Sequence, residues 1–345
     1  MTHQCVLEVV EGLERLAANE LTDLFPKVQI HGYEADASSE LLFTYKGRLG
    51  SLAQLRLAHA VYLRESFDIP RPKALLGDSH WRRFREQIAT VMALSSRGAF
   101  KTFNVSAAGS DSSVMQRIRQ MIADETGLQD QEKGDLAIRL RPSSNGGWET
   151  LVRLFPRPLA TRAWRVCNYE AALNATAAYA MALLTEPTPE DVVVNLGSGS
   201  GSLLIERAAL CPARQLIGVD HDPSLLACAA QNIHASEITS IRLLRGDMRS
   251  LPLPNQSADV LMADLPFGQN VGSHEDNVAL YPAIFAEAAR IARPAARFTV
   301  ITHEIRLIEG LLSANRDWAV EKTLRITLRG LHPRIYVLRR ANQTI

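Results

Sequence analysis

The stretch Gly197-Ser198-Gly199-Ser200-Gly201 constrains this chain more than any other, because of what stands on either side of it. Before it, Asp191 to Leu196 is a near-continuous apolar run of strand length; after it, Leu203, Leu204, Ile205 and Ala208 fall at helical spacing. Strand, glycine turn and helix form the opening of a nucleotide-binding βαβ unit. Glycine there lets backbone approach a ligand where a Cβ would collide, and it permits positive φ. The next apolar run, Gln215 to Val219, ends in Asp220-His221-Asp222. A carboxylate at a strand tip about 20 residues beyond such a loop is placed to take both hydroxyls of a ribose.

The loop departs from the dinucleotide fingerprint, which needs a third glycine at 202, where this chain has Ser202. A third strand, Ile241 to Leu244, leads into Gly246-Asp247-Met248, an acid and an apolar side chain suited to the amino group and face of an adenine. A fourth apolar run, Val260 to Ala263, delivers Asp264-Leu265-Pro266-Phe267-Gly268. Strand ends in an open α/β sheet line a ligand crevice. The Asp264 carboxylate and the Leu265 carbonyl can each accept one proton of an exocyclic amine, Pro266 restricts the residue before it, and Phe267 offers a stacking face. On its own the pentapeptide also fits an ordinary strand end followed by a Pro-Gly turn.

A chain of 345 residues is long for one core, so two or three domains are expected. Residues 1 to about 95 alternate short strands such as Cys5 to Val9 with helical stretches at Leu13 to Leu24, Ser51 to Tyr62 and Trp81 to Leu94. A second α+β module runs from about 96 to 166, with strands at Phe100 to Val105, Leu136 to Leu140 and Glu149 to Phe155, a helix at Ser112 to Thr126, and a turn at Ser143-Ser144-Asn145-Gly146-Gly147. From 167 onward strands and helices alternate, as in a parallel sheet covered on both faces, and the last two strands, Thr323 to Leu328 and Ile335 to Arg339, should be antiparallel.

A hydrophobic share of 46% and a net charge of +1 describe an ordinary globular chain and do not announce a nucleic-acid binder. Clustering matters more: Arg153, Arg157, Arg162 and Arg165 fall close together beside Trp164, and Trp81-Arg82-Arg83-Phe84-Arg85 interleaves aromatics with arginines. No export signal or membrane span is indicated, so a cytoplasmic location is expected. Cys5, Cys167, Cys211 and Cys228 lack C-x-x-C spacing and the nine histidines lack ligand spacing, so neither a metal site nor a disulfide is expected and the thiols should be reduced.

On these motifs the chain resembles the THUMP-domain RNA methyltransferases, and within them the tRNA guanine-N2 methyltransferases. The turn at Asp264 to Gly268 fits their catalytic turn; Gly12-Leu13-Glu14 with Asn19-Glu20-Leu21 looks like their ferredoxin-like opening; Ala171 to Thr176 looks like the segment near the cofactor's methionine end; Arg329 to Val337 looks like the closing hairpin. Two departures stand out: Asn195 replaces the usual acid of the first strand, and Ala163-Trp164-Arg165 replaces Gly-Tyr-Arg.

The resemblance implies a Rossmann-like methyltransferase domain over 167–345, with a C-terminal antiparallel strand, behind a ferredoxin-like module (1–95) and a THUMP module (96–166). It implies S-adenosyl-L-methionine held by Asn174, Thr176, Asn195, Gly197, Ser198, Gly199, Gly201, Asp220, His221, Asp247, Met248 and Asp264, with catalysis by Asp264, Leu265, Pro266 and Phe267. It further implies a monomer without metal that binds tRNA through Arg153, Arg157, Arg162 and Arg165 and methylates guanosine in the acceptor stem near nucleotide six. Two alternatives stay open on sequence alone: an amino-methyltransferase for ribosomal RNA or adenine, and a non-catalytic RNA-binding protein that kept the fold.

Overall fold

A computed structural model describes residues 2–33, 39–109, 112–144, 146–267 and 273–341. Gly268 of the catalytic turn and Asn145 of the expected loop lie outside the described residues. The chain forms two compact units, and the smaller is built from residues 2–9 and 13–160.

In that unit β1 (His3–Val9), α1 (Glu14–Leu24), β2 (Gln29–Tyr33), β3 (Glu40–Tyr45), β4 (Ala58–Phe67), α2 (Asp78–Met92), β5 (Thr102–Ala107), α3 (Ser113–Thr126), β6 (Gln129–Asp130), β7 (Leu136–Pro142) and β8 (Trp148–Arg153) follow in order. One eight-stranded sheet, ordered β2-β3-β1-β4-β8-β7-β5-β6, joins what sequence divides at about residue 95. The seam is β4 against β8, antiparallel from Tyr62↔Arg153 to Phe67↔Trp148. This same seam corrects the helix expected over Ser51 to Tyr62: only Leu49–Gln54 turns as a 3-10 helix, and Ala58 onward is strand. Apolar residues there fit either period, and pairing on both sides, with β1 and with β8, decides for the strand. Helix α2 packs Trp81, Phe84, Ile88 and Val91 inward, and its buried Gln87 donates to the carbonyls of Leu63 and Thr150 across the seam.

The second unit gathers residues 10–12 with the chain from Thr161 onward. Its elements are α4 (Ala175–Leu184), β9 (Val192–Leu196), α5 (Ser202–Leu210), β10 (Gln215–Asp220), α6 (Pro223–Ala235), β11 (Ile241–Arg245), β12 (Ala258–Asp264), α7 (His274–Ile291), β13 (Ala292–Thr302), α8 (Ile305–Ala314), β14 (Trp318–Arg325) and β15 (Arg334–Arg340). The seven-stranded sheet runs β11-β10-β9-β12-β13-β15-β14; β9 to β13 are parallel, and β15 lies antiparallel to both its neighbours. Strands covered on both faces read as continuous apolar runs, which is why Val192–Leu196 is wholly buried and Val260 to Ala263 likewise. Strand order reverses between β9 and β12, where crevices open in such sheets.

The thiol expectation is corrected here. Cys167 and Cys228 form a disulfide across 61 residues of sequence, while Cys5 and Cys211 stay free. Spacing could not reveal this pair, because the fold brings the segment after Thr161 against helix α6. Among the described residues no group of His, Cys, Asp and Glu is arranged to hold a metal, and no helix is long and apolar enough to cross a membrane.

Candidate active site

Register sets the site. Asn195 lies level with Met262 and Gly218, and Leu196 with Ala263 and Val219, so the next residues on three adjacent strands, Gly197, Asp264 and Asp220, surface together. Strands pair about 4.8 Å apart, so two spacings place the acids about 10 Å from one another across the glycine loop. That loop needs its glycines: Gly197, Gly199 and Gly201 have φ of 67°, 51° and 79°. A Cβ on Gly197 would fall 2.7 Å from Cε of Met248, and one on Gly199 2.4 Å from the hydroxyl of Tyr169.

Asp220 is buried and pre-set. It accepts from the Gly199 N–H at 2.8 Å and the Asp222 N–H at 3.0 Å, and a carboxylate so held keeps further lone pairs for ligand hydroxyls. His221 is well exposed, its Nδ1 3.6 Å from Asp220. Asp247, in contrast, is engaged by Arg249, whose guanidinium and backbone N–H bond both its oxygens and hold its pKa below the usual carboxylate range. Met248, folded over Gly197, supplies the apolar wall.

The buried polar atoms around the loop carry a consistent message. The Asn195 amide nitrogen donates to the Met262 carbonyl at 3.0 Å; because that carbonyl can only accept, the amide oxygen is turned the other way, buried and without a partner. Ser198 Oγ and Thr176 Oγ1 are also buried and unpartnered. Orphaned polar groups are costly, and two of these, on Asn195 at the end of β9 and on Ser198 of the loop itself, stand where a polar ligand would complete the site. Asn174 has a local duty, capping helix α4 by accepting from the N–H groups of Thr176 and Ala177.

At the end of β12 the Asp264 carboxylate takes no hydrogen bond from the described residues, and burial pushes its pKa from 3.8 up to about 7. The Leu265 N–H donates to Ile301 O at 3.0 Å, and among the described residues the Leu265 carbonyl has no donor. The Pro266 carbonyl is held twice, by Asn277 Nδ2 at 3.1 Å and by the Tyr281 hydroxyl at 2.6 Å, which also contacts Thr302 Oγ1 at 2.7 Å. Both residues come from α7 and are fully buried. Phe267 lies half-buried, its ring centroid 6.3 Å from that of His303. The turn thus offers two free acceptors on a peptide whose next carbonyl is locked.

The arginines divide by what already occupies them. Arg153 spends its guanidinium on the carbonyls of Phe155, Gly134, Asp135 and Pro156. Arg162 is buried against Glu206 at 2.9 Å, and Arg165 reaches Leu173 O and Ser202 Oγ. Arg157 is exposed. In the cluster on α2, Trp81 and Phe84 belong to the core, while Arg83 and Arg85 pair with Glu65 and Glu125. Sequence reasoning passes over Asn277, Tyr281 and Tyr169, all of which bear on the cleft.

The profile of the RMKL-like methyltransferase domain matches residues 162–334. This chain belongs to that family. A bovine tRNA (guanine(6)-N(2))-methyltransferase, THUMP3, is 32% identical over 187 residues, covering 50% of this chain but only 37% of its own length. The tRNA (guanine(6)-N2)-methyltransferase of Thermus thermophilus is 27% identical over 336 residues, covering 95% of this chain and 96% of that one. Among solved structures, TrmN from Thermus thermophilus superposes with a TM-score of 0.76 at 23% identity, over 99% of this chain and 100% of TrmN. The methyltransferase domain of the RMKL-like family thus coincides with the second unit and its cleft.

Proposed function

We propose that this protein transfers a methyl group from S-adenosylmethionine to the N2 amine of a guanosine in tRNA, in the acceptor stem near nucleotide six, as a cytoplasmic monomer. The observation that carries the reading is the pair of free acceptors at the tip of β12, the Asp264 carboxylate and the Leu265 carbonyl, on a turn pinned by Asn277 and Tyr281. The names of the bovine and Thermus relatives support the tRNA guanine assignment and position six.

The residues around the glycine loop fit the cofactor. Asp220 suits the ribose hydroxyls, Met248 the adenine face, and the orphaned oxygens of Asn195, Ser198 and Thr176 the polar amino-acid end. Asn195 accepts without charge where an acid would pair with the amine. When bound, the cofactor supplies an electrophilic methyl group.

The guanine N2 lone pair is delocalised into the ring and attacks poorly. Accepting its two protons on Asp264 and Leu265 orients the amine and favours the tetrahedral nitrogen that bond formation requires. Asp264, with a value of about 7, then takes the departing proton. Phe267 stacks on the base and replaces the neighbouring bases it stacked against in an RNA stem. The N-terminal unit, read as ferredoxin-like and THUMP modules, recognises tRNA by shape and backbone, with Arg157 as an available phosphate contact.

The test is single-turnover methylation of unmodified tRNA with labelled cofactor, followed by nucleoside identification. N2-methylguanosine is expected. Methylated adenosine would overturn the base assignment, and cofactor binding without product would favour the non-catalytic alternative.

A further inference from the structure

Tyr169 stands on the glycine loop without being part of any motif. Its hydroxyl is so close to Gly199 that a Cβ there would lie 2.4 Å from Oη and 3.4 Å from Cζ. Besides burial, the groups that raise its pKa are Asp264 and Asp220, so the phenol sits in the field of both acids of the cleft. The hydroxyl has no hydrogen-bond partner among the described residues, and at about 12 it keeps its proton and remains a donor.

The segment that carries it is clamped at both ends. Buried Asn232 on α6 accepts from the Cys167 N–H at 2.8 Å and donates to the carbonyls of Cys167 and Ser200 at 2.9 and 3.0 Å, tying the tyrosine's strap and the glycine loop to one side chain. One helical turn earlier, Cys228 is bonded to Cys167. On the other flank Arg165 bridges Leu173 O and Ser202 Oγ, and the Ala172 N–H closes a turn on the Tyr169 carbonyl at 3.0 Å. A half-buried tyrosine on a strap fixed this heavily is held in place for contact rather than left to solvent.

We propose that Tyr169 is a cofactor-binding residue that roofs the glycine loop and donates a hydrogen bond to the carboxylate of the cofactor's amino-acid arm, with the Cys167–Cys228 clip positioning it. This rests on the reading of the cleft as an S-adenosylmethionine site. On that reading the part of the cofactor that joins ribose to amino acid would run between the ribose acid and the acceptor acid, past the buried, unpartnered oxygens of Asn195 and Ser198. The Asn195 amide oxygen can only accept, so a neutral phenol adds to the Ser198 hydroxyl a second donor for a carboxylate.

The experiment is calorimetry on the full chain with two ligands, S-adenosylhomocysteine, which has the amino-acid arm, and 5′-methylthioadenosine, which lacks it. Tyr169→Phe should weaken the first about ten- to a hundredfold, the range for losing a hydrogen bond to a charged group, and leave the second unchanged. Unchanged affinity for the first, or equal loss for both, would overturn the assignment. If the unsubstituted chain binds neither ligand, the cofactor reading itself fails; if it binds both and Tyr169→Phe matches it, only the tyrosine inference fails. Cys228→Ala tests the clip: it should weaken S-adenosylhomocysteine binding in the Tyr169 background and add nothing once Tyr169→Phe is present. Fully additive effects would remove the clip from the proposal.

Discussion

Asp264 is where burial and chemistry pull against each other, and the conflict can be read by titration. Its carboxyl has no protein partner among the described residues, and desolvation holds it at about 7 rather than 3.8. Only the ionised form accepts both an amine proton and, later, the product's proton. The single-turnover rate should therefore fall about tenfold per pH unit below about 7 and level off above it, whereas a carboxylate with an ordinary value would give a flat profile from about pH 5 to pH 8. Asp264→Asn keeps one oxygen acceptor and should turn slow but flat; Asp264→Ala should lose about a hundred- to a thousandfold at pH 8, with affinity for S-adenosylhomocysteine nearly intact. Stability carries the opposite sign. With the folded value above the unfolded one, the buried carboxyl is tolerated while protonated, and its contribution erodes as pH rises from about 4 to about 7. The gap between 3.8 and about 7 sets an upper limit of about 4 kcal/mol on that loss. Asp264→Asn, which cannot ionise, should accordingly resist urea better than the unsubstituted chain at pH 8 and no better at pH 4. A flat profile in the unsubstituted chain, or the same slope in Asp264→Asn, would refute the reasoning.

Three further outcomes are expected at other residues. Asp220→Ala should weaken S-adenosylhomocysteine about ten- to a hundredfold by calorimetry if, as proposed, its carboxylate accepts from the ribose hydroxyls. Tyr281→Phe removes one of the two donors to the Pro266 carbonyl and should slow single-turnover methylation about tenfold without changing cofactor affinity. Arg162→Ala removes the cation of a buried ion pair with Glu206 and should cost about 3–5 kcal/mol in denaturant unfolding, while Arg157→Ala should leave stability alone, weaken tRNA binding and flatten its salt dependence by about one unit of slope.

Much of the methyltransferase unit is legible in the sequence for a physical reason. Parallel strands buried on both faces leave apolar runs, and their tips carry the glycines and acids that a crevice requires, so Gly197, Asp220 and Asp264 announce themselves. What escapes is set by tertiary proximity. Asn277 and Tyr281 act on Pro266 from a helix that begins after the turn, and nothing in their own spacing distinguishes them from core residues. Tyr169 lies in a stretch without periodicity. Arginine clusters reveal positive charge but not its partners, so Arg153 and Arg162 are indistinguishable from Arg157 until their carbonyl and carboxylate acceptors are in view. Strand β4 reads as partly helical because its apolar residues satisfy two periods, and the sheet on either side of it chooses between them.

The second unit begins with residues 10–12 and resumes only at Thr161. Those early residues meet their partners near the far end of the chain: the Thr327 N–H donates to the Glu11 carbonyl at 3.0 Å, and Gly12, with φ of 93°, lies so near Arg325 O that a Cβ would come within 2.0 Å of it. On the ribosome this is a matter of timing. More than 300 residues separate the two sides of that contact, and at about 5–20 residues per second the early piece waits roughly 15 to 60 s for its counterpart to be synthesised. The first unit, complete by residue 160, can fold well before then, so the nascent chain spends that interval with one unit built and the three residues that precede Leu13 still awaiting the unit they belong to.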